Sequence, residues 1–265
     1  QIFEERGVDV DVKLDLSPDE LLNIIGNYDG LAIRSTTKVT EELLDAGTNL
    51  RVVGRAGIGI DNVDIGAATK HGVIVMNTPH GNSVTTAEHT ITMILALARQ
   101  IPEANASTKA GKWEKSSFMG TEITGKTLGL IGCGNIGTIV AERAQGLKMR
   151  VVGYDPYLSP ENAKQLGIEK LELNELLKRA DFITLHTPLT EATRNIVGAD
   201  ALNKTKKGVR IINCARGGLV DELAMAAALK SGHVAGAAFD VFEVEPAKDN
   251  VLFSFENVIA TPHLG

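Results

Sequence analysis

At 265 residues, the chain is long enough for one large domain or two of ordinary size, each burying a real core without disulfide or metal staples. Its 27 Lys and Arg stand against 33 Asp and Glu, a formal net charge of −6 with no concentrated basic tract, which argues against nucleic acid as a partner. Cys133 and Cys214 lie far apart in apolar, strand-like stretches, as reduced and buried thiols do. The longest apolar run, near Ile91 to Ala98, is far below the roughly 18–20 residues of a membrane span, and no signal-like start is visible. A soluble, cytoplasmic protein with no membrane partner is predicted.

From the N-terminus, short β-branched runs alternate with helix-like stretches: Val8 to Leu14, Pro18 to Ile25, Leu31 to Arg34, Thr40 to Asp45, Arg51 to Arg55, Val63 to His71 and Val73 to Met76. This rhythm predicts a parallel sheet covered on both faces. Ser17-Pro18-Asp19-Glu20 and Thr40-Glu41-Glu42 read as helix starts. The turn formers from Asn77 to Ser83 predict a hinge, dividing a domain at 1–79 from one at 80–265. Thr85 to Arg99 is apolar on nearly all faces and should be covered on more than one side, for which a dimer interface is one means. Further strands are expected at Thr127 to Ile131, Arg150 to Tyr154, Phe182 to His186, Arg210 to Asn213, Ala235 to Asp240 and Val258 to Ala260. The fold class is thus α/β, with two doubly wound parallel-sheet domains. The start at Gln1, and the stop at Gly265 without a closing helix, predict a piece of a longer protein.

Gly132-Cys133-Gly134-Asn135-Ile136-Gly137 follows an apolar strand and opens a predicted helix at Thr138 to Gln145, and Asp155 stands just past the next strand. Alone, GxGxxG marks only a tight turn. In this context it has what a dinucleotide requires: glycines for close backbone approach, a helix N-terminus for the pyrophosphate, and a carboxylate for the ribose hydroxyls. Asp155 would repel a 2′-phosphate, and Pro156 and Tyr157 bring no positive charge, so NAD is predicted rather than NADP.

Oxidising an alcohol beside a carboxylate needs a base, a cation and a held nicotinamide. Arg216, Glu245 and His263 each lie just beyond a predicted strand end, where open α/β sheets bind ligands. Singly, each has an ordinary alternative: a surface arginine in a glycine turn, a solvated loop acid, a histidine capping a strand. No metal-ligand set is singled out.

The segments GCGNIG, GYDPY, HTPLT, NCARGGLVDE, FDVFEVEP and TPHLG, in this order and spacing, resemble the D-2-hydroxyacid dehydrogenases over essentially the whole chain. Within that family, IRSTTKVT, VGRAGIGIDNVD, VMNTPHGNS and GKWEKSSFMGTEITGKTLG are most similar to members that act on D-3-phosphoglycerate. The resemblance implies a flavodoxin-like substrate domain, a Rossmann domain that binds NAD, a small anionic substrate, and a homodimer or homotetramer formed through the long helix after the hinge. It implies Arg216 on the substrate carboxylate and carbonyl, His263 as acid/base, and Glu245 hydrogen-bonded to that histidine. Cofactor contacts carry over to Gly132, Gly134, Asn135, Ile136, Gly137, Asp155, Thr187, the backbone near Cys214, and Asp240 near the nicotinamide, although Asp240 also reads as an ordinary strand-end aspartate. Arg34, Arg55 and Asn82 fall where the family binds substrate, and two arginines suit a doubly anionic acid. A strand before Gln1 and a segment after Gly265 that completes the smaller domain are also implied. Reduction of glyoxylate or hydroxypyruvate is the alternative within the family, and an NAD(H)-sensing corepressor is the alternative outside catalysis.

Overall fold

The computed structural model describes residues 2–265, which group into two compact units, one ending at Gly81 and the other running Asn82–Gly265. The first contains α1 (Ile2–Glu5), α2 (Pro18–Ile24), β1 (Gly30–Ile33), α3 (Glu41–Ala46), β2 (Val52–Arg55), α4 (Ile65–Lys70) and β3 (Ile74–Asn77). Each longer helix starts on a side-chain cap. Ser17 and Glu20 form a reciprocal capping box, Thr40 accepts from Leu43 N at 3.3 Å, and Asp64 accepts from Ala67 N at 2.8 Å. The strands are parallel in the order β1-β2-β3, with Leu31, Val53 and Val75 in one register row. Their face of the sheet meets Leu43 and Leu44 of α3 and Ala67 and Ala68 of α4 in a single core.

Residues 8–14 depart from the sequence reading. They are exposed and join no sheet among the described residues, tethered instead by Tyr28 Oη donating to Asp11 at 2.6 Å. Alternating valines predict a strand only where a neighbouring ladder takes up the backbone groups.

The second unit contains α5 (Ser83–Arg99), α6 (Ile101–Lys109), β4 (Thr127–Ile131), α7 (Asn135–Gly146), β5 (Arg150–Tyr154), α8 (Pro160–Gln165), β6 (Glu169–Lys170), α9 (Leu173–Arg179), β7 (Phe182–Leu185), α10 (Ala199–Lys204), β8 (Val209–Asn213), α11 (Glu222–Lys230), β9 (Val234–Phe239) and β10 (Val258–Ala260). All seven strands are parallel, in the order β10-β9-β8-β7-β4-β5-β6. Residues from α5, α7 and α8 form one core against this sheet, and residues from α9, α10 and α11 form the other. A sheet covered on both faces explains why β7 and the inner part of β4 are buried at every position.

Two helix readings are corrected. Helix α7 starts at Asn135 rather than Thr138, because Gly134 is its N-cap. Helix α5 buries Thr86, Ala87, Thr90, Met93, Ile94, Leu97 and Ala98 at helical spacing against its own chain, while Glu88, Thr92 and Arg99 face outward. Val84 is exposed and Ile91 and Leu95 are half-buried on the rest of the helix. Both cysteines are free and buried, and burial pushes each thiol up to about 12, so both stay protonated and unreactive. Among the described residues, no helix is long and apolar enough to cross a membrane.

Candidate active site

In the second unit the strand order reverses direction between β4 and β7, the place where open α/β sheets leave a crevice beyond their C-terminal ends. The GxGxxG turn sits there. Gly132 has φ +97, and a Cβ on it would lie 2.5 Å from the carbonyl oxygen of His186 and 3.0 Å from Thr187 N, so the turn closes onto the end of β7 only as glycine. Gly137 packs against the Gly132 carbonyl, whereas a Cβ on Gly134 would meet no atom within 4 Å and points into open space. Helix α7 begins without a side-chain cap, which leaves first-turn N–H groups for a ligand anion beside the exposed Asn135 and half-buried Ile136. Asp155, just past β5, accepts from Cys133 N through Oδ2 and from Tyr157 N through Oδ1, each at 2.8 Å. A carboxylate is thereby held across the turn. Beneath the turn, burial pushes His186 down to about 3, keeping the imidazole neutral with Nε2 3.1 Å from Thr184 Oγ1.

The ends of β8, β9 and β10 carry the second group. Asn213 closes the loop after β8 by donating to the carbonyl of Arg216 at 2.8 Å and accepting from Ala215 N at 3.1 Å. Arg216 is half-buried there, donating to the Ala215 carbonyl at 2.6 Å. Gly217 backs so closely onto Phe242 that a side chain would overlap the Phe242 carbonyl, which joins this loop to the one bearing Glu245. Glu245 accepts from Phe242 N at 3.0 Å with one oxygen and lies 2.7 Å from His263 Nδ1 with the other. His263 has φ +55, with its N–H donated to the Asp240 carbonyl at 2.8 Å. Asp240, wholly buried at the end of β9, takes Thr261 Oγ1 and Leu264 N on Oδ1 and Gly265 N on Oδ2. Its carboxylate is thus occupied by the turn that carries His263.

In the first unit, Arg34 and Arg55 stand at the C-terminal ends of β1 and β2. Arg34 is exposed, and its carbonyl is held by Asn62 Nδ2 at 2.9 Å. Arg55 is half-buried, its guanidinium lying over Gly57. Asn82 precedes α5, donating to Thr86 Oγ1 at 3.4 Å, and its Oδ1 is shielded and accepts no hydrogen bond. Sequence reading missed His89, whose Nε2 lies 3.3 Å from Asp240 and 3.2 Å from Thr261. It also missed Glu222, which accepts from Glu243 N at 2.9 Å and Asn250 Nδ2 at 2.7 Å and so anchors the Glu245 loop. His89 belongs to none of the quoted motifs, and Glu222 closes the NCARGGLVDE segment, where it reads only as the first residue of α11 after its Asp221 cap. Among the described residues, no cluster of His, Cys, Asp and Glu could hold a metal ion.

An uncapped helix at the strand-order reversal, a glycine turn under it and a carboxylate across from it fit the pyrophosphate and ribose of a dinucleotide; the second unit is a Rossmann-type nucleotide-binding domain with an imidazole–carboxylate pair on the same sheet edge. Residues 91–265 match the family model described as D-isomer specific 2-hydroxyacid dehydrogenase, NAD binding domain. The chain is 52% identical to D-3-phosphoglycerate dehydrogenase of Homo sapiens over 265 residues, all of this chain and 50% of that one. A crystal structure of a protein from Thermus thermophilus superposes with a TM-score of 0.91 at 36% identity, covering 99% of this chain and 84% of that one. A D-lactate dehydrogenase from Aquifex aeolicus, complexed with NAD and lactic acid, superposes with a TM-score of 0.87 at 30% identity, with 99% and 84% covered. The chain belongs to the D-isomer specific 2-hydroxyacid dehydrogenase family. It spans about half the length of the curated relatives it matches.

Proposed function

We propose that this chain carries the catalytic machinery for NAD-dependent oxidation of D-3-phosphoglycerate to 3-phosphohydroxypyruvate, the first step of serine biosynthesis, in the cytoplasm and as a homodimer or homotetramer. The observation that carries the chemistry is the 2.7 Å pair of His263 Nδ1 and Glu245, one strand away from the Arg216 loop. With Nδ1–H committed to the carboxylate, Nε2 is the nitrogen left to take the C2 hydroxyl proton in oxidation or to return it in reduction. Arg216 has the fork geometry to hold the substrate carboxylate and the oxygen on C2. A bound nicotinamide would supply the hydride acceptor for C2. The backbone of Gly132 to Gly137, with Asn135 and Ile136, would hold the pyrophosphate, Asp155 the adenosine ribose, and Thr187 and the Cys214 backbone the rest of the cofactor, with Asp240 near the nicotinamide. In this reading residues 1–79 form the substrate domain and 80–265 the dinucleotide domain, with Arg34, Arg55 and Asn82 receiving the substrate.

Replacing Asp155 by alanine is expected to raise the Kd for NADH about tenfold or more, because the variant loses the ribose acceptor and leaves Cys133 N–H without its partner. Fluorescence titration with NADH checks this, and an unchanged Kd would remove Asp155 from the cofactor site.

The phosphate is tested by NADH consumption with 3-phosphohydroxypyruvate and hydroxypyruvate side by side, using the full-length protein. Two substrate arginines predict a kcat/KM at least about tenfold higher for the phosphorylated acid, the value of one charge-assisted contact. Equal or reversed preference discards phosphoglycerate and leaves a glyoxylate or hydroxypyruvate reductase. Tight NADH binding without turnover supports the corepressor-like sensor instead.

A further inference from the structure

We infer that His89 is a positioning residue for the acid/base histidine, acting through Asp240 and Thr261; this rests on the assignment of His263 above. The imidazole of His89 projects from α5 toward the end of β9, with 17% of the side chain exposed. Its Nε2 is 3.3 Å from Asp240 Oδ1 and 3.2 Å from Thr261 Oγ1. The Thr261 hydroxyl already gives its proton to Asp240, so both oxygens that face His89 are acceptors. Nε2 must therefore carry a proton and be shared between them.

The consequence lies in what Asp240 holds. Besides His89, the donors to this buried carboxylate among the described residues come from the 261–265 turn: the Thr261 hydroxyl and the backbone N–H groups of Leu264 and Gly265. The Asp240 carbonyl takes the His263 N–H as well. Gly265 lies against Thr86 and His89 on α5, so the turn is gripped between the carboxylate and this helix. His263 sits inside it at φ +55, a conformation that a non-glycine residue keeps only when its surroundings impose it. Without the His89 donor, the carboxylate keeps only the donors of the turn itself, and the turn loses its wall on the α5 side. The imidazole of His263 then samples positions away from Glu245, and catalysis requires placement to within a fraction of an ångström. Substrate and cofactor make no contact with His89 in this scheme.

The test uses the full-length protein and NADH consumption with 3-phosphohydroxypyruvate. His89→Leu is expected to lower kcat about tenfold, with the Kd for NADH and the KM changing less than about twofold. His89→Gln, whose amide nitrogen reaches the place of Nε2, should recover most of that loss, a rescue that mere space-filling by Leu does not give. Thr261→Val should lower kcat to a similar extent, and the double variant His89→Leu/Thr261→Val should be no worse than either single one. If His89→Leu does not fold, His89→Gln near parental turnover together with a depressed Thr261→Val carries the same support. A parental kcat in folded His89→Leu, a Gln variant as poor as the Leu variant, or additive losses in the double variant would each overturn the positioning role. A parent protein that binds NADH but reduces no keto acid overturns the assignment of His263 and this inference with it, and that result is seen before any variant is made.

Discussion

His263→Ala is expected to reduce turnover by roughly 10²- to 10⁴-fold, the span over which a positioned general acid or base contributes, while NADH binds as before. The backbone at this position is set without the imidazole: its N–H is donated to the Asp240 carbonyl, and its neighbours Thr261, Leu264 and Gly265 are held by the Asp240 side chain. Alanine accepts the same left-handed φ at a modest added cost, since histidine is among the residues enriched there. Glu245 loses one partner, but its side chain is 36% exposed and its other oxygen keeps Phe242 N, so water can replace the missing contact. The variant therefore folds, and its loss reports on proton transfer. Steady-state kinetics paired with NADH titration measure it; turnover within a few-fold of the parent would mean that another group carries the proton.

Gly132→Ala should destabilise the second unit by about 2–4 kcal/mol and weaken NADH binding by more than tenfold. The added methyl would meet the carbonyl oxygen and carbon of His186 at 2.5 and 2.6 Å and Thr187 N at 3.0 Å, all of them backbone atoms at the end of β7. No rotamer relieves such a collision, so the ends of β4 and β7 must part, and φ +97 is strained for alanine in any case. For a unit of this size, melting should fall by roughly 5–15 °C. Gly134→Ala is the control. Its methyl meets nothing within 4 Å, so thermal stability should stay near the parent while NADH binding falls, because the methyl enters space that the pyrophosphate would use. Equal melting temperatures for the parent and Gly132→Ala would contradict the packing of this turn.

Much of the nucleotide-binding domain is legible in the chain because its determinants are short-range. The strands Thr127–Ile131 and Arg150–Tyr154 match the sequence reading residue for residue, and Ser17 and Thr40 cap the helices that they were expected to start. Each rests on a few consecutive residues: an apolar run long enough to cross a doubly covered sheet, or a hydroxyl one place before a first turn. The start of α7 was misplaced by three residues because a glycine N-cap has no side chain to announce it. Residues 8–14 show the opposite error, an alternation that reads as a strand although nothing among the described residues pairs with it.

For this protein, the sequence by itself determined the glycine turn, the strand-end positions of Arg216, Glu245 and His263, and the carboxylate at Asp155, since each is written within a handful of neighbouring residues. Only the tertiary structure decided what holds them. His89 meets Thr261 across 172 positions of sequence, Glu222 reaches Asn250 across 28, and Asp240 is revealed as the anchor of the His263 turn rather than an ordinary strand end. Such partners carry no shared spacing or periodicity, because it is the closing of the sheet, with α5 folded against β9 and β10, that first brings their donors and acceptors within hydrogen-bonding distance.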